Sequence, residues 1–156
     1  MEKKEGLTFW LFSLAVTLVV LLSFLDYFIW KIIIFPNWLI AISLAILIFG
    51  YLLRLYLKHL LGKQFNIYIV IRKDHKLIKK GPYRYIRHPL YTSTILIFLG
   101  LAGTLSSVIG VIATVMLIIP AILLRIKREE YYLEKKFGKQ YKNYKKSTKS
   151  LIPPIW

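Results

Sequence analysis

The sequence predicts an all-α integral membrane protein of about four transmembrane helices, with a cytosolic C-terminal helical segment. Three observations carry this expectation. Long apolar runs recur along the chain, each long enough or nearly long enough to cross a hydrocarbon layer about 30 Å thick. The composition is 57% hydrophobic with a mean hydropathy of +0.57, above the roughly 45–50% apolar content of soluble domains. Positive charge is concentrated in two segments, one between the second and third runs and one after the fourth.

Residues 1–6 form a short charged leader, and Leu7–Leu25 follows as the first run, apolar apart from hydroxyls. It is too long for the core of a cleaved signal peptide, and no small-residue cleavage site follows it. Asp26 interrupts the run and residues 27–35 continue it, which predicts one long tilted helix kinked near Asp26 and anchored by Trp30 and Trp38 at the interface. Asp26 reads as an interfacial or bundle-facing carboxylate near Lys31. The second span covers residues 38–57, with Arg54 near its end, placed to snorkel to the headgroups or to face a polar cavity. Residues 58–83 are a basic connection with an amphipathic or strand-like portion at 65–71. The third span, 90–105, is barely long enough. A polar turn at 104–107 leads to the fourth span, 108–124, with Pro120 as a kink. The fourth helix should continue to Gly138 as its C-terminal cap. A second short helix covers 139–146, with Tyr141 and Tyr144 on one side.

The chain of 156 residues reads as one membrane domain: two N-terminal spans (1–57), a cytosolic connection (58–89), a helical hairpin (90–124) and C-terminal helices (125–156). Only Lys31 falls in the first connection, and the turn between the third and fourth spans has no Lys or Arg. The positive-inside rule therefore puts both termini and the 58–89 connection in the cytoplasm. The net charge of +16, from 23 Lys+Arg against 7 Asp+Glu, lies beside apolar spans. It speaks for anionic headgroups, at about 1 kcal/mol per basic residue, and against nucleic acid as a partner. The absence of cysteine excludes disulfides, thiolate catalysis and cysteine-ligated metal. The three histidines, His59, His75 and His88, are too far apart for a compact metal motif, and no metal site is expected.

Against this apolar background, residues 80–91 stand out. Lys80-Gly81-Pro82-Tyr83-Arg84-Tyr85-Ile86-Arg87-His88-Pro89-Leu90-Tyr91 packs arginines, tyrosines and a histidine between two backbone breaks at a membrane boundary. Gly81-Pro82 makes the first break, and His88-Pro89 lets a helix begin at Pro89. A second polar cluster leaves the fourth span on the same side. There Arg125 and Glu129 are four residues apart, on one helix face. The spacing fits an ordinary ion pair as well as half of a site; convergence of two clusters at one membrane surface suggests a cavity.

These residues form a pattern: His75-x-Leu77 and Tyr83; then Arg87-His88-Pro89-x-Tyr91; then Arg125-x3-Glu129-Glu130, Phe137-Gly138, Tyr141 and Tyr144; and a closing Leu151-Ile152-Pro153. The pattern resembles the isoprenylcysteine carboxyl methyltransferase family and the related phospholipid methyltransferases, over about residues 73–153. The resemblance implies an S-adenosyl-L-methionine-dependent enzyme whose cofactor site is built from the C-terminal half. It places cofactor contacts on His75, Lys76, Leu77, Ile78, Tyr83, His88, Pro89, Leu90, Tyr91 and Glu129. It also places the acceptor's polar end on Arg125, so that Arg125 and Glu129 are the candidate catalytic residues. The family pattern has a glycine two residues after the motif tyrosine, where this chain has Ser93, small enough for close packing.

What the resemblance implies agrees with the residue types. Methyl transfer from a sulfonium is an in-line displacement in which alignment does most of the work. A carboxylate acceptor needs no general base, and Arg125 offers the fork geometry that holds one. A phospholipid amine would need a proton acceptor, for which Glu129, Glu130 and His88 are candidates. The expected partners are a lipid or prenylated small-molecule substrate and the bilayer, with the oligomeric state open. Two other readings remain: a small NAD(P)H-dependent membrane reductase related to the sterol reductases, which carry a similar RHPxY-like segment, and a non-catalytic lipid-binding protein.

Overall fold

A computed structural model describes residues 6–66 and 77–151. The first helix, α1, runs Leu7–Leu25 and loosens into a wide π-turn at Asp26–Trp30. Helix α2 covers Asn37–Leu61, and α3 covers Pro89–Thr104. A short α4, Val108–Ala113, passes through a second π-turn at Thr114–Ile118 into α5, Ile119–Phe137. The last helix among the described residues is α6, Lys139–Ser147. Apart from one isolated parallel bridge between Ile86 and Lys149, the described residues are helix, turn and loop.

Three of these helical segments are long and apolar enough to cross a membrane: Leu7–Trp30, Asn37–Leu61 and Val108–Phe137. Helix α3 is apolar but shorter, at 16 residues. That corresponds to about 24 Å at 1.5 Å per residue, a little short of the hydrocarbon thickness. The first two segments carry large exposed apolar side chains such as Trp10, Leu14, Phe28, Trp38, Phe49 and Leu52. In water that surface would be untenable; facing lipid it is what an integral membrane helix shows.

Small residues set how the helices meet. A Cβ on Gly100 would lie 2.5 Å from the backbone nitrogen of Leu47, and one on Gly103 would lie 2.2 Å from Ser43 Oγ. Helices α2 and α3 therefore pack backbone to backbone, as small residues allow in lipid. Helix α1 packs instead on α4 and α5 and touches α3 lightly. The core between them holds Ala15, Val19, Ile118, Ile122 and Ile126.

Asp26 proves to be bundle-facing and is 1% exposed. Its Oδ2 accepts hydrogen bonds from Ser107 Oγ at 2.8 Å and from the Ile109 backbone N–H at 3.1 Å. Its Oδ1 accepts from Ile32 N–H at 3.3 Å. The carboxylate thus satisfies a donor at the start of α4, where a helix leaves its first N–H groups unpaired and favours negative charge. Ser107 is the N-cap proper, accepting from Gly110 N–H at 2.9 Å. Across the same end, Phe35 N–H donates to Ser106 Oγ, which ties the two loops together. The expected disturbance around Pro120 takes the form of the π-turn just before it, which opens the hydrogen-bond ladder where proline supplies no N–H.

Candidate active site at the head of α3

Gly81 adopts a φ of +57°, a left-handed backbone that other residues disfavour, and opens a 3-10 turn at Gly81–Arg84. The chain then extends through Ile86 and Arg87 to His88, and α3 starts at Pro89. The tail after α6 lies alongside this extended stretch. Arg87 N–H donates to Lys149 O at 2.8 Å, Lys149 N–H to Tyr85 O at 3.0 Å, and His88 N–H to Ser150 O at 3.0 Å. Thr92 Oγ1 adds a bond to Leu151 O at 2.7 Å.

Arg87 is the rivet of this assembly. Its Nε donates to Glu130 Oε1 at 2.7 Å, and Nη1 reaches the carbonyls of Lys145 at 3.2 Å and Thr148 at 2.5 Å. Glu130 also takes His88 Nε2 at 3.3 Å and Lys145 Nζ at 3.0 Å. Burial opposes its charge, but the hydrogen bonds from His88, Arg87 and Lys145 outweigh burial and hold the carboxyl well below the usual carboxylate range. Glu130 lies beyond the apolar part of α5 and stays ionised; it joins α5, the motif and α6.

Its neighbour Glu129 faces the other way. Tyr91 donates from its hydroxyl to Glu129 Oε2 at 3.0 Å, and that hydroxyl accepts from Arg125 Nε at 3.4 Å. Arg125 and Glu129 are thus joined through Tyr91, which comes from α3. Arg125 is 4% exposed, and its guanidinium carbon lies 5.1 Å from the centroid of the Phe12 ring on α1. His88 Nδ1 lies 3.8 Å from Glu129 Oε2, so the histidine stands between the two carboxylates.

Of these groups, Arg87, His88, Tyr91, Arg125, Glu129 and Phe12 open onto one cavity of about 500 Å³, within the size range of small-molecule sites. Of the eleven residues singled out from the sequence, Leu77, Ile78, Tyr83, His88, Leu90, Tyr91, Arg125 and Glu129 line it. Pro89 is fully buried at the first position of α3 and does not line the cavity. His75 and Lys76 lie outside the described residues, as does most of the strand-like portion expected at 65–71. Ser93 is fully buried, with its hydroxyl bonded to Leu90 O at 2.7 Å. It packs inside the bundle without projecting into the cavity.

Sequence reasoning missed part of the wall. Tyr141 and Tyr144 of α6 are both buried and both line the cavity, and the Tyr144 hydroxyl donates to Tyr83 O. Their shared helix face was legible; the cavity on that face was not. Arg54 lines the cavity and donates from Nη1 to Thr94 Oγ1 at 2.8 Å, so it faces inward and does not snorkel to the headgroups. Helix α1 contributes Phe9, Phe12, Ser13, Val16 and Thr17. Among the described residues, the buried hydroxyls of Tyr83 and Tyr141 have no hydrogen-bond partner. Burial pushes both phenols above their ordinary values, with the negative charge of Glu129 adding to it at Tyr83 and those of Glu130 and Glu129 at Tyr141, so both stay neutral.

A family model described as isoprenylcysteine carboxyl methyltransferase matches residues 41–135. Protein-S-isoprenylcysteine O-methyltransferase B of Arabidopsis thaliana is 32% identical over 157 residues, covering 96% of this chain and 79% of the relative. The Dictyostelium discoideum protein-S-isoprenylcysteine O-methyltransferase is also 32% identical, over 148 residues, covering 88% of this chain and 60% of its own. Among solved structures, a eukaryotic intramembrane Ras methyltransferase, an isoprenylcysteine carboxyl methyltransferase, superposes with a TM-score of 0.74 at 26% identity. The match covers 92% of this chain and 52% of that one, so the chain spans about half the length of that structure.

Proposed function

The chain belongs to the isoprenylcysteine carboxyl methyltransferase family and is a membrane-embedded methyltransferase, and from that premise we propose that it methylates the carboxylate of an isoprenylcysteine-like amphiphile, with S-adenosyl-L-methionine as donor. Family membership decides between the transferase and the reductase that the RHPxY segment alone left open. The observation that carries the reading is the Arg125–Tyr91–Glu129 relay, which sets a cation and an anion side by side in one cavity.

The cavity fits such a donor. Tyr83 and Tyr141 are among its lining residues and add aromatic surface to it. Leu77 and Ile78 supply apolar edges, His88 and Tyr91 aromatic ones. The side chain of Glu129, 32% exposed, is an open carboxylate able to offset a positive charge and accept hydrogen bonds from hydroxyl or amino groups. When bound, the sulfonium donor supplies an electrophilic methyl: the carboxylate oxygen forms a bond to carbon while the carbon–sulfur bond breaks with its pair going to sulfur, leaving a neutral thioether and transferring no proton.

The remaining steps belong to the protein. Arg125, with its Nε bonded to Tyr91 and its guanidinium over the Phe12 ring, holds the acceptor carboxylate and fixes which oxygen faces the methyl carbon. Arg54, held by its bond to Thr94 and lining the same cavity, adds a second positive charge that favours an anionic acceptor. The partly buried clasp of Arg87, Glu130 and the tail joins α5, the motif and α6 beside the cavity. The charge distribution supports a cytoplasmic location for both termini and for the cavity mouth, where a soluble donor has access. Calorimetric titration of the purified protein with S-adenosyl-L-methionine or its demethylated product tests the donor assignment. Binding should be measurable in the native chain and lost in Glu129→Ala, and equal binding by both would overturn the assignment.

A further inference from the structure

The family model covers residues 41–135, and every motif discussed above lies after residue 72; α1 is in neither. Yet α1 supplies one whole side of the cavity. Phe9, Phe12, Ser13, Val16 and Thr17 recur at the i, i+3, i+4, i+7, i+8 spacing of a single helix face. That face adjoins the one carrying Ala15 and Val19, and Phe12 and Val16, where the two meet, pack against the core as well as lining the cavity. The Thr17 hydroxyl turns back to donate to Ser13 O at 3.0 Å, so at that point the wall directs its polar hydrogen to its own helix. The cavity lies between α1 and α2, which pack on different partners, α1 on α4 and α5 and α2 on α3.

We propose that the α1 face formed by Phe9, Phe12 and Val16 selects the acceptor's hydrocarbon chain, and that Phe12 is the positioning residue for Arg125. This rests on the methyl-acceptor reading above. The occupant is one hydrocarbon chain continuous with an anionic head, because the apolar face and the Arg125 guanidinium bound a single cavity and meet at Phe12. Phe12 therefore acts at both ends. Its ring edge borders the chain, and its face steadies the guanidinium by a cation–π contact. Val16, one helical turn further along α1, borders the chain beyond the headgroup, and a larger residue there shortens the space available.

The test uses the full chain in lipid nanodiscs with N-acetylcysteines carrying S-decyl, S-farnesyl or S-geranylgeranyl groups as acceptors. Phe12→Leu keeps an apolar side chain but removes the cation–π contact; its acceptor KM should rise by about tenfold, the donor KM staying constant. Phe12→Tyr retains an aromatic face and should restore the acceptor KM. Val16→Phe should move the preference toward the decyl acceptor, a change of profile that a general loss of folding does not produce. An unchanged acceptor KM in Phe12→Leu together with an unchanged chain profile in Val16→Phe would overturn the inference and leave the methyltransferase reading intact. A parallel rise in donor KM would also overturn it. If the native chain methylates none of the three, the reading beneath it falls and the inference with it.

Discussion

Tyr91→Phe removes one oxygen atom and leaves the helix packing in place. That oxygen donates to Glu129 at 3.0 Å and accepts from Arg125 Nε at 3.4 Å. A hydrogen bond to a charged group contributes about 1.5–3 kcal/mol, which corresponds to about ten- to hundredfold in rate at 1.36 kcal/mol per decade. The longer contact to Arg125 adds little. The Glu129 side chain is 32% exposed, so water can replace part of the lost bond, which favours the lower end. The expected outcome is a fall of about tenfold in kcat/KM, measured by transfer of labelled methyl to a farnesylcysteine acceptor, with Tm changed little. A loss smaller than about twofold would refute the claim that Tyr91 aligns the two charges. A large drop in Tm with normal kcat/KM at low temperature would show instead that the hydroxyl serves folding.

Two further predictions separate stability from catalysis. Asp26→Ala strips the acceptor from Ser107 Oγ, Ile109 N–H and Ile32 N–H at the end of the bundle opposite the cavity. It should cost about 1–3 kcal/mol of stability, seen as a lower Tm in detergent, with kcat/KM unchanged below the transition. The second concerns acid. Because the folded-state pKa of Glu130 is depressed, its contribution to stability is complete above the unfolded carboxyl value of about 4.3 and is lost as pH falls below it. Thermal melts should therefore drop on acidification below about pH 4, and Glu130→Gln should flatten that limb while lowering Tm at neutral pH.

The sequence displayed the two polar clusters well, because each interrupts apolar helix and each is marked by glycine or proline. Gly81, Pro89 and Gly138 fall at a turn, a helix start and a helix end, as their backbone preferences require. The role of Asp26 was half legible. A carboxylate in an apolar run has to find donors; one is the nearby Ile32 N–H, but the other two lie more than eighty positions away at 107–109, and no local pattern points there. Helix α1 was the least legible element. It is apolar on nearly every side, so nothing in its periodicity distinguishes the face that meets lipid from the face that meets the cavity. Arg54 was ambiguous for a related reason. An arginine near a helix end reaches the headgroups or the interior equally well, and only Thr94 on α3 shows which.

In the proposed reaction the methyl acceptor is a carboxylate oxygen held at Arg125. The most direct measurement incubates the protein with methyl-labelled S-adenosyl-L-methionine and extracted membrane lipids, then treats the labelled lipid with mild alkali. A methyl ester releases its label as volatile methanol, and the release should vanish with Arg125→Ala. Label that stays on the lipid through alkali, as an N-methyl group would, contradicts the account.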